Sequence, residues 1–201
     1  MQEQGPDGVA EMRLRDRKKA RTREMIRTAA FDLFEEQGFE RTTVDQICRR
    51  ADIAHRTFFR YYPAKEALLF GWDFGQVILD AFAAAPAGLG LWEALGHALT
   101  VTDGRLEEPA EHTARRRRLR RTFLDVRSVH DYALILIDTF GQRAADIAGE
   151  RLGVDPHSDL RPFALGAMLG GMIRRHVVIG AEPGLLAAWM EAYQGVLPPP
   201  R

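Results

Sequence analysis

Cysteine is nearly missing from this chain: Cys48 is the single thiol among 201 residues. An internal disulfide is therefore impossible, as is a zinc site built on several thiolates, and the chain suits a reducing compartment. Long apolar runs are lacking as well. The longest charge-free stretches, residues 81–92 and 162–173, fall short of the roughly 20 residues a membrane helix needs. The N-terminal MQEQGPDGVAEMRLRD has no apolar centre of the kind a signal peptide carries. A soluble cytoplasmic protein with no membrane partner is expected. The six histidines form no HxxxH or HExxH pair, so no metal site is expected. Neither a nucleophile elbow nor a glycine-rich phosphate loop occurs, so neither a cofactor nor a catalytic centre is expected, and the chain does not read as an enzyme. Period-two alternation of the strand type is nowhere convincing.

What the chain does have is helical periodicity and uneven charge. Its formal net charge is zero, yet residues 12–65 carry a clear surplus of Lys and Arg while residues 66–201 carry a slight deficit. A basic segment by itself is usually a solvated face, so it needs a second signal before it implies nucleic acid. From about Arg13 the sequence reads as an amphipathic helix, with Ile26, Ala29, Ala30, Leu33 and Phe34 on one stripe and Gly38 as the stop. Thr43 stands three residues before Gln46 in a capping-box pattern, and Val44, Ile47, Cys48 and Ala51 form the apolar side of a short second helix. Cys48 on that stripe reads as a packed core thiol. A third helix from about His55 must end near Pro63, because a proline disfavours helical geometry in the residue before it.

That third helix, HRTFFRYY, carries the second signal. At about 100° per residue, Phe58 and Tyr62 coincide on a face that can pack on the first two helices. Arg56, Arg60, Thr57 and Tyr61 then project outward, with His55 and Phe59 on the flank. Arginine donates two hydrogen bonds to guanine, threonine and ring edges touch thymine methyls, and a tyrosine hydroxyl reaches phosphate. Such a helix fits a DNA major groove, where some rings hold it in place and others touch the nucleic acid.

With these residues in view, KKARTREMIRTAAFDLFEEQGFERTTVDQICRRADIAHRTFFRYYPAKEALL, residues 18–69, resembles the DNA-binding domain of the TetR family of transcriptional repressors. The shared elements are Gly38-Phe39, Thr42-Thr43-Val44, the short helix, the Thr57-to-Tyr62 aromatic segment and Pro63-x-Lys65-Glu66. The resemblance implies that Thr43 meets a phosphate and that His55, Arg56, Thr57 and Arg60 face bases. It places Phe59 and Tyr61 against the backbone or a thymine, and Lys65 on a phosphate at the start of a fourth helix. The basic arm Arg13 to Arg23 would add phosphate or minor-groove contacts. Three positions depart from the family pattern: Asp52 where many members have Gly, Ala54 where many have Ser, and Ala64 in place of a capping Ser or Asn.

Beyond Pro63 a long helix is expected from about Lys65 into the 80s, with Gly71 and Gly75 as close-packing points or as a bend that transmits ligand occupancy. Further helices are expected at about 91–102, 110–127, 129–152, 159–179 and 184–197. Phe74, Trp92, Phe123, Met168 and Met172 are core by default; in a chain of this resemblance they become candidates for an apolar ligand cavity. The run Arg115 to Arg121 is either a solvated face or a polyanion site in which Arg116 and Arg120 flank the pocket. Apolar groups surround residues 160–179, with Gly166 and Gly170 allowing close approach, and Leu186, Trp189, Met190 and Tyr193 form a stripe on the last helix. Both are expected at a homodimer interface.

The expected architecture is thus all-α. A tail over residues 1–12, disordered, precedes a helix-turn-helix domain over 13–64; a ligand-binding and dimerisation domain spans 65–197, and a short tail covers 198–201. The expected activity is repression from a palindromic double-stranded operator, relieved by a small apolar or amphipathic ligand. A small-molecule-binding helical protein with a vestigial DNA-binding portion is the alternative.

Overall fold

The computed structural model describes residues 6–71, 73–102, 110–179 and 191; for residues 6–16, 73, 74, 110, 176, 178 and 179 it describes the backbone alone. Every regular element among them is helical, and the chain divides into two compact units, Met1–Leu68 and Leu69–Arg201.

The first unit holds α1 (Pro6–Gln37), α2 (Val44–Arg50) and α3 (His55–Tyr61). Helix α1 starts about two turns before the expected Arg13. Proline is at home in a first helical turn, where its missing N–H is not needed. The residues after it carry no apolar stripe, so periodicity could not reveal them. The expected stripe is the core: Ile26, Ala30 and Phe34 are buried, and Phe34 packs against Phe39 at 5.0 Å between ring centroids. Helix α2 closes this core with Ile47 and Cys48, and α3 with Phe58. Burial pushes the Cys48 thiol pKa up, with the Asp45 carboxylate adding to the effect, as suits a packed and unreactive group.

The long fourth helix expected from Lys65 is interrupted. Glu66–Leu69 form a 3-10 turn, Gly71 turns the chain at φ 63, and α4 runs only from Asp73 to Ala83. Helical periodicity survives a tight turn of this kind, so the apolar pattern did not show the break. At Gly71 a β-carbon would lie 3.0 Å from the Arg116 guanidinium carbon, and at Gly75 one would lie 3.0 Å from the Phe140 ring. Both glycines are close-packing points.

In the second unit α4 is followed by α5 (Leu91–Thr102), α6 (Ala110–Phe123), α7 (Arg127–Leu152) and α8 (Leu160–Ile179). Helices α4, α5, α7 and α8 share a core that includes Phe82, Leu95, Phe140 and Leu169. Arg151, near the end of α7, donates to the carbonyls of Ala85 and Pro86 at 2.8 Å each and to that of Leu89 at 3.2 Å, fastening the loop between α4 and α5. The helix expected over 184–197, with Leu186, Trp189, Met190 and Tyr193, lies outside the described residues apart from Glu191.

Candidate nucleic-acid interface

The turn between α1 and α2 sets the angle of everything after it, and its hydrogen bonds are dense. Thr43 caps α2 through the full capping box: its Oγ1 accepts from the Gln46 amide at 3.2 Å, and Gln46 Oε1 accepts from the Thr43 amide at 2.8 Å. Gln37 Nε2 donates to Gln46 Oε1 at 3.0 Å, tying the end of α1 to the cap. Thr42, buried beneath, donates to the Gly38 carbonyl at 2.8 Å. Arg50 then joins α2 to α1 with a two-pronged bond to Glu36 at 2.7 and 2.6 Å.

Between α2 and α3 the chain reverses through a Schellman turn. The Ile53 amide donates to the Cys48 carbonyl at 3.0 Å and the Asp52 amide to that of Arg49 at 3.3 Å. Asp52 occupies the left-handed position at φ 50, where Gly is the easy choice and Asp is among the tolerated residues. Ala54 then starts α3 with no side-chain cap.

Helix α3 is seated by its inner face. Phe58 is fully buried, and Tyr62 is buried 5.9 Å from it between centroids. Burial of a ring that size contributes about 2–3 kcal/mol, enough to fix the rotation of a two-turn helix. That rotation leaves His55, Arg56, Phe59 and Arg60 exposed and Thr57 and Tyr61 half-buried. These six are the outward and flanking residues of the helical wheel; Phe59, 48% exposed, is the largest apolar group on the face. The ring of Phe59 meets His55 edge-on at 5.0 Å, and His55 Nε2 lies 3.1 Å from Asp45 Oδ1. Tyr61 carries the Arg60 guanidinium 5.2 Å from its ring centre and that of Arg23 at 5.8 Å. Arg23 and Asp45 thus join the face from α1 and α2. Neither contact could be foreseen, because no periodicity relates residues so far apart in the chain.

Two of the expected phosphate contacts have other commitments. Lys65 Nζ donates to the carbonyls of Phe39 and Thr42, both at 2.7 Å, and lies 4.1 Å from the Phe39 ring centre. Burial lowers its pKa below the usual lysine value. Two of its three hydrogens therefore hold the turn between α1 and α2, and one is left for a phosphate. The Thr43 hydroxyl hydrogen is directed at Gln46 Oε1, 3.2 Å away. Because that oxygen also accepts from Thr43 and Gln37, the hydroxyl can turn to a phosphate without orphaning it.

The expected ligand residues occupy the second unit. Met172 is buried in its core, with Trp92 and Met168 packed against it, so all three serve the fold. Phe123 is half-buried, and Phe74 has no described side chain. Arg116 is half-buried against Gly71. Arg120 is buried, 3% exposed, and its pKa is lowered to about 10, first by burial and then by the charges of Arg116, Arg117 and Arg121. The run from Arg115 to Arg121 is therefore not a uniformly solvated face. Gly166 and Gly170, expected at a subunit contact, make their close approach to α7 of the same chain. A β-carbon at Gly166 would collide with the Gly141 carbonyl, and one at Gly170 would stand 3.6 Å from that of Ile137.

A short helix seated by two rings, presenting arginines from a capped helix-turn-helix, defines a DNA-binding regulator. Residues 26–71 match the family model described as bacterial regulatory proteins, tetR family. The chain is also 34% identical over 186 residues, covering 87% of its length and 80% of the relative's, to the HTH-type transcriptional regulator TcmR of Streptomyces glaucescens. The protein belongs to the TetR family of transcriptional regulators, a family without enzymatic activity. Across 55 residues, 27% of this chain and 28% of the other, it is 44% identical to MftR of Mycobacterium tuberculosis, named for transcriptional regulation of mycofactocin biosynthesis. Among solved structures it is similar to a TetR-family regulator from Streptomyces coelicolor A3, at 23% identity and a TM-score of 0.45, covering 88% of this chain and 94% of that one.

Proposed function

We propose that the protein represses transcription from a palindromic operator as a homodimer, and that a small apolar or amphipathic ligand in its second unit releases it. The outward face of α3 is the observation that carries this reading, since Phe58 and Tyr62 fix the helix while Arg56 and Arg60 stand in solvent. A second copy is supported by α8, which has two apolar faces. Leu165, Leu169 and Met172 are buried within the chain, while Leu160, Phe163, Ala164, Ala167 and Gly171, spaced at 0, 3, 4, 7 and 11, are exposed, Leu160 at 77% and Phe163 at 64%. An exposed stripe of that kind suits an isologous contact. Two-fold symmetry of the protein then demands two-fold symmetry of the site.

For the ligand, the buried Arg120 beside Arg116 favours an anionic head on an apolar body. No described helix is long and apolar enough to cross a membrane, and a DNA partner supports a cytoplasmic location. Sequencing of duplexes selected by the pure protein from a random pool should yield one palindromic motif with two half-sites. Light scattering should give a dimer both free and bound. Recovery of no motif, or a free and bound monomer, would refute the reading. Calorimetric titration with a fatty acyl thioester of coenzyme A, set against Arg116→Ala with Arg120→Ala, tests the anionic head: heat that is absent, or undiminished in the variant, argues against it.

A further inference from the structure

Asp45 puts a carboxylate on the face that α3 presents. It stands in the first turn of α2 with its side chain 71% exposed, and its Oδ1 lies 3.1 Å from Nε2 of His55, the first residue of α3, whose side chain is 54% exposed. A polar pair so open to solvent contributes little to stability. The joint between α2 and α3 is closed by other means, the buried Ile47, Cys48 and Phe58 and the Schellman turn at Asp52. An acid in a first helical turn suits the helix dipole, but the dipole does not ask it to meet His55. On a DNA-facing surface its charge also works against phosphate attraction. Neither stability nor affinity accounts for the contact.

What the contact does fix is a ring. His55 is held from two sides: Asp45 reaches its Nε2, and Phe59, one helical turn on, meets it edge-on at 5.0 Å between centroids. Phe59 stands in turn against Phe58 at 5.3 Å, and Phe58 is fully buried. Orientation thus passes from the core outward through Phe58 and Phe59 to His55. Arg49 and Asp52 line the same shallow depression as Asp45 and His55. Among the described residues, however, Asp45 alone brings a charge within bonding distance of the ring.

We propose that Asp45 is the positioning residue for His55, and that the pair makes α3 prefer an amino base, adenine or cytosine, over a keto base at one position of each half-site. The proposal rests on α3 being the DNA-reading helix. In a neutral imidazole one nitrogen donates and the other accepts. A carboxylate only accepts, so it fixes the hydrogen on Nε2 and leaves Nδ1 with a lone pair. On the major-groove edge adenine N6 and cytosine N4 are donors, whereas guanine O6 and thymine O4 are acceptors. An accepting Nδ1 bonds the first two and is repelled by the others. Without Asp45 the ring is free to take the other tautomer or to turn over, and it then offers whichever function the base asks for.

The test uses the full-length protein at fixed moderate salt and about pH 8, where histidine is ordinarily neutral. Fluorescence anisotropy gives its affinity for a duplex selected from a random pool and for every single-base change across one half-site. Ratios between duplexes cancel any general effect of a lost carboxylate on phosphate attraction. His55→Ala should mark the position, by reducing a preference for adenine or cytosine there roughly two- to tenfold, the worth of one hydrogen bond. Asp45→Ala should lose the same preference at the same position and keep wild-type ratios everywhere else. In the His55→Ala background it should change no ratio. Asp45→Asn, whose amide oxygen still accepts from Nε2, should retain the preference. Several results would overturn the proposal: guanine or thymine preferred at the position His55 marks, wild-type ratios in Asp45→Ala, a loss spread over many positions, a further loss on adding Asp45→Ala to His55→Ala, or Asp45→Asn behaving as Asp45→Ala. So would His55→Ala without effect on any ratio; base preference lost in Arg56→Ala or Arg60→Ala would then leave the reading of α3 standing. A wild-type protein that binds all the duplexes alike would sink both.

Discussion

Two Schellman turns in one chain make an internal comparison at the scale of single residues. After α7 the left-handed position is Gly153, at φ 66, with the Val154 amide donating to the Gly149 carbonyl at 3.0 Å. After α2 the same hydrogen bonds surround Asp52 at φ 50. A β-carbon in that region is strained and glycine's is absent, so Asp52→Gly should stabilise the protein by about 0.5–1 kcal/mol, read as a rise in the denaturant midpoint. Ala54→Ser should add about 1 kcal/mol by giving α3 the side-chain cap it lacks. If neither substitution raises the midpoint, the turn is held by contacts other than these. Both departures from the family pattern were visible in the sequence, and the left-handed turn at Asp52 shows what the first of them costs. The role of Lys65 was not visible, because its partners are the backbone carbonyls of Phe39 and Thr42 and backbone atoms carry no signature in the residue pattern.

Among the elements, the joints between helices carry most of the specific chemistry. The Arg50 guanidinium holds the Glu36 carboxyl below its ordinary pKa of 4.5, chiefly through their hydrogen bonds. A depressed carboxylate pKa stabilises the fold above the unfolded value, and that contribution disappears as pH falls through the folded value. Melting temperature should therefore drop more steeply below about pH 4.5 in the wild type than in Glu36→Gln. Parallel curves would mean that the pair is inert. In the second unit Arg151 is the equivalent joint, and its loss leaves carbonyls of the loop after α4 without their donor. Arg151→Ala should lower stability by about 2–3 kcal/mol. Lysine should recover only part of that, since one ammonium does not reproduce a planar fork; full recovery by lysine would contradict the role. Helix positions were legible wherever an apolar stripe repeats, as in α2, α5 and α8. They were illegible at the start of α1, which has no stripe, and at Gly71, where a turn preserves the stripe while breaking the helix.

For the molecule as a whole, the division of labour between two units follows from where each has its charge and its apolar surface. The first unit places its basic residues around a small, tightly bonded core; the second has a core large enough to leave one face of α8 uncovered. The family and the outward face of α3 were legible because Phe58 and Tyr62 have to pack, and packing them turns Arg56 and Arg60 outward. A ligand site was not legible, because Trp92, Met168 and Met172 satisfy the core whether or not anything binds beside them. The central claim is that Arg56 and Arg60 read bases from a helix held in place by Phe58. Its most direct test is the affinity of wild type, Arg56→Ala and Arg60→Ala for the selected operator and for every single-base change in one half-site, at fixed moderate salt. Each variant should lose about 1–3 kcal/mol on the operator and become indifferent to the base at one position or two adjacent ones, while keeping wild-type discrimination elsewhere. Operator affinity and base preference unchanged in both variants would contradict the account.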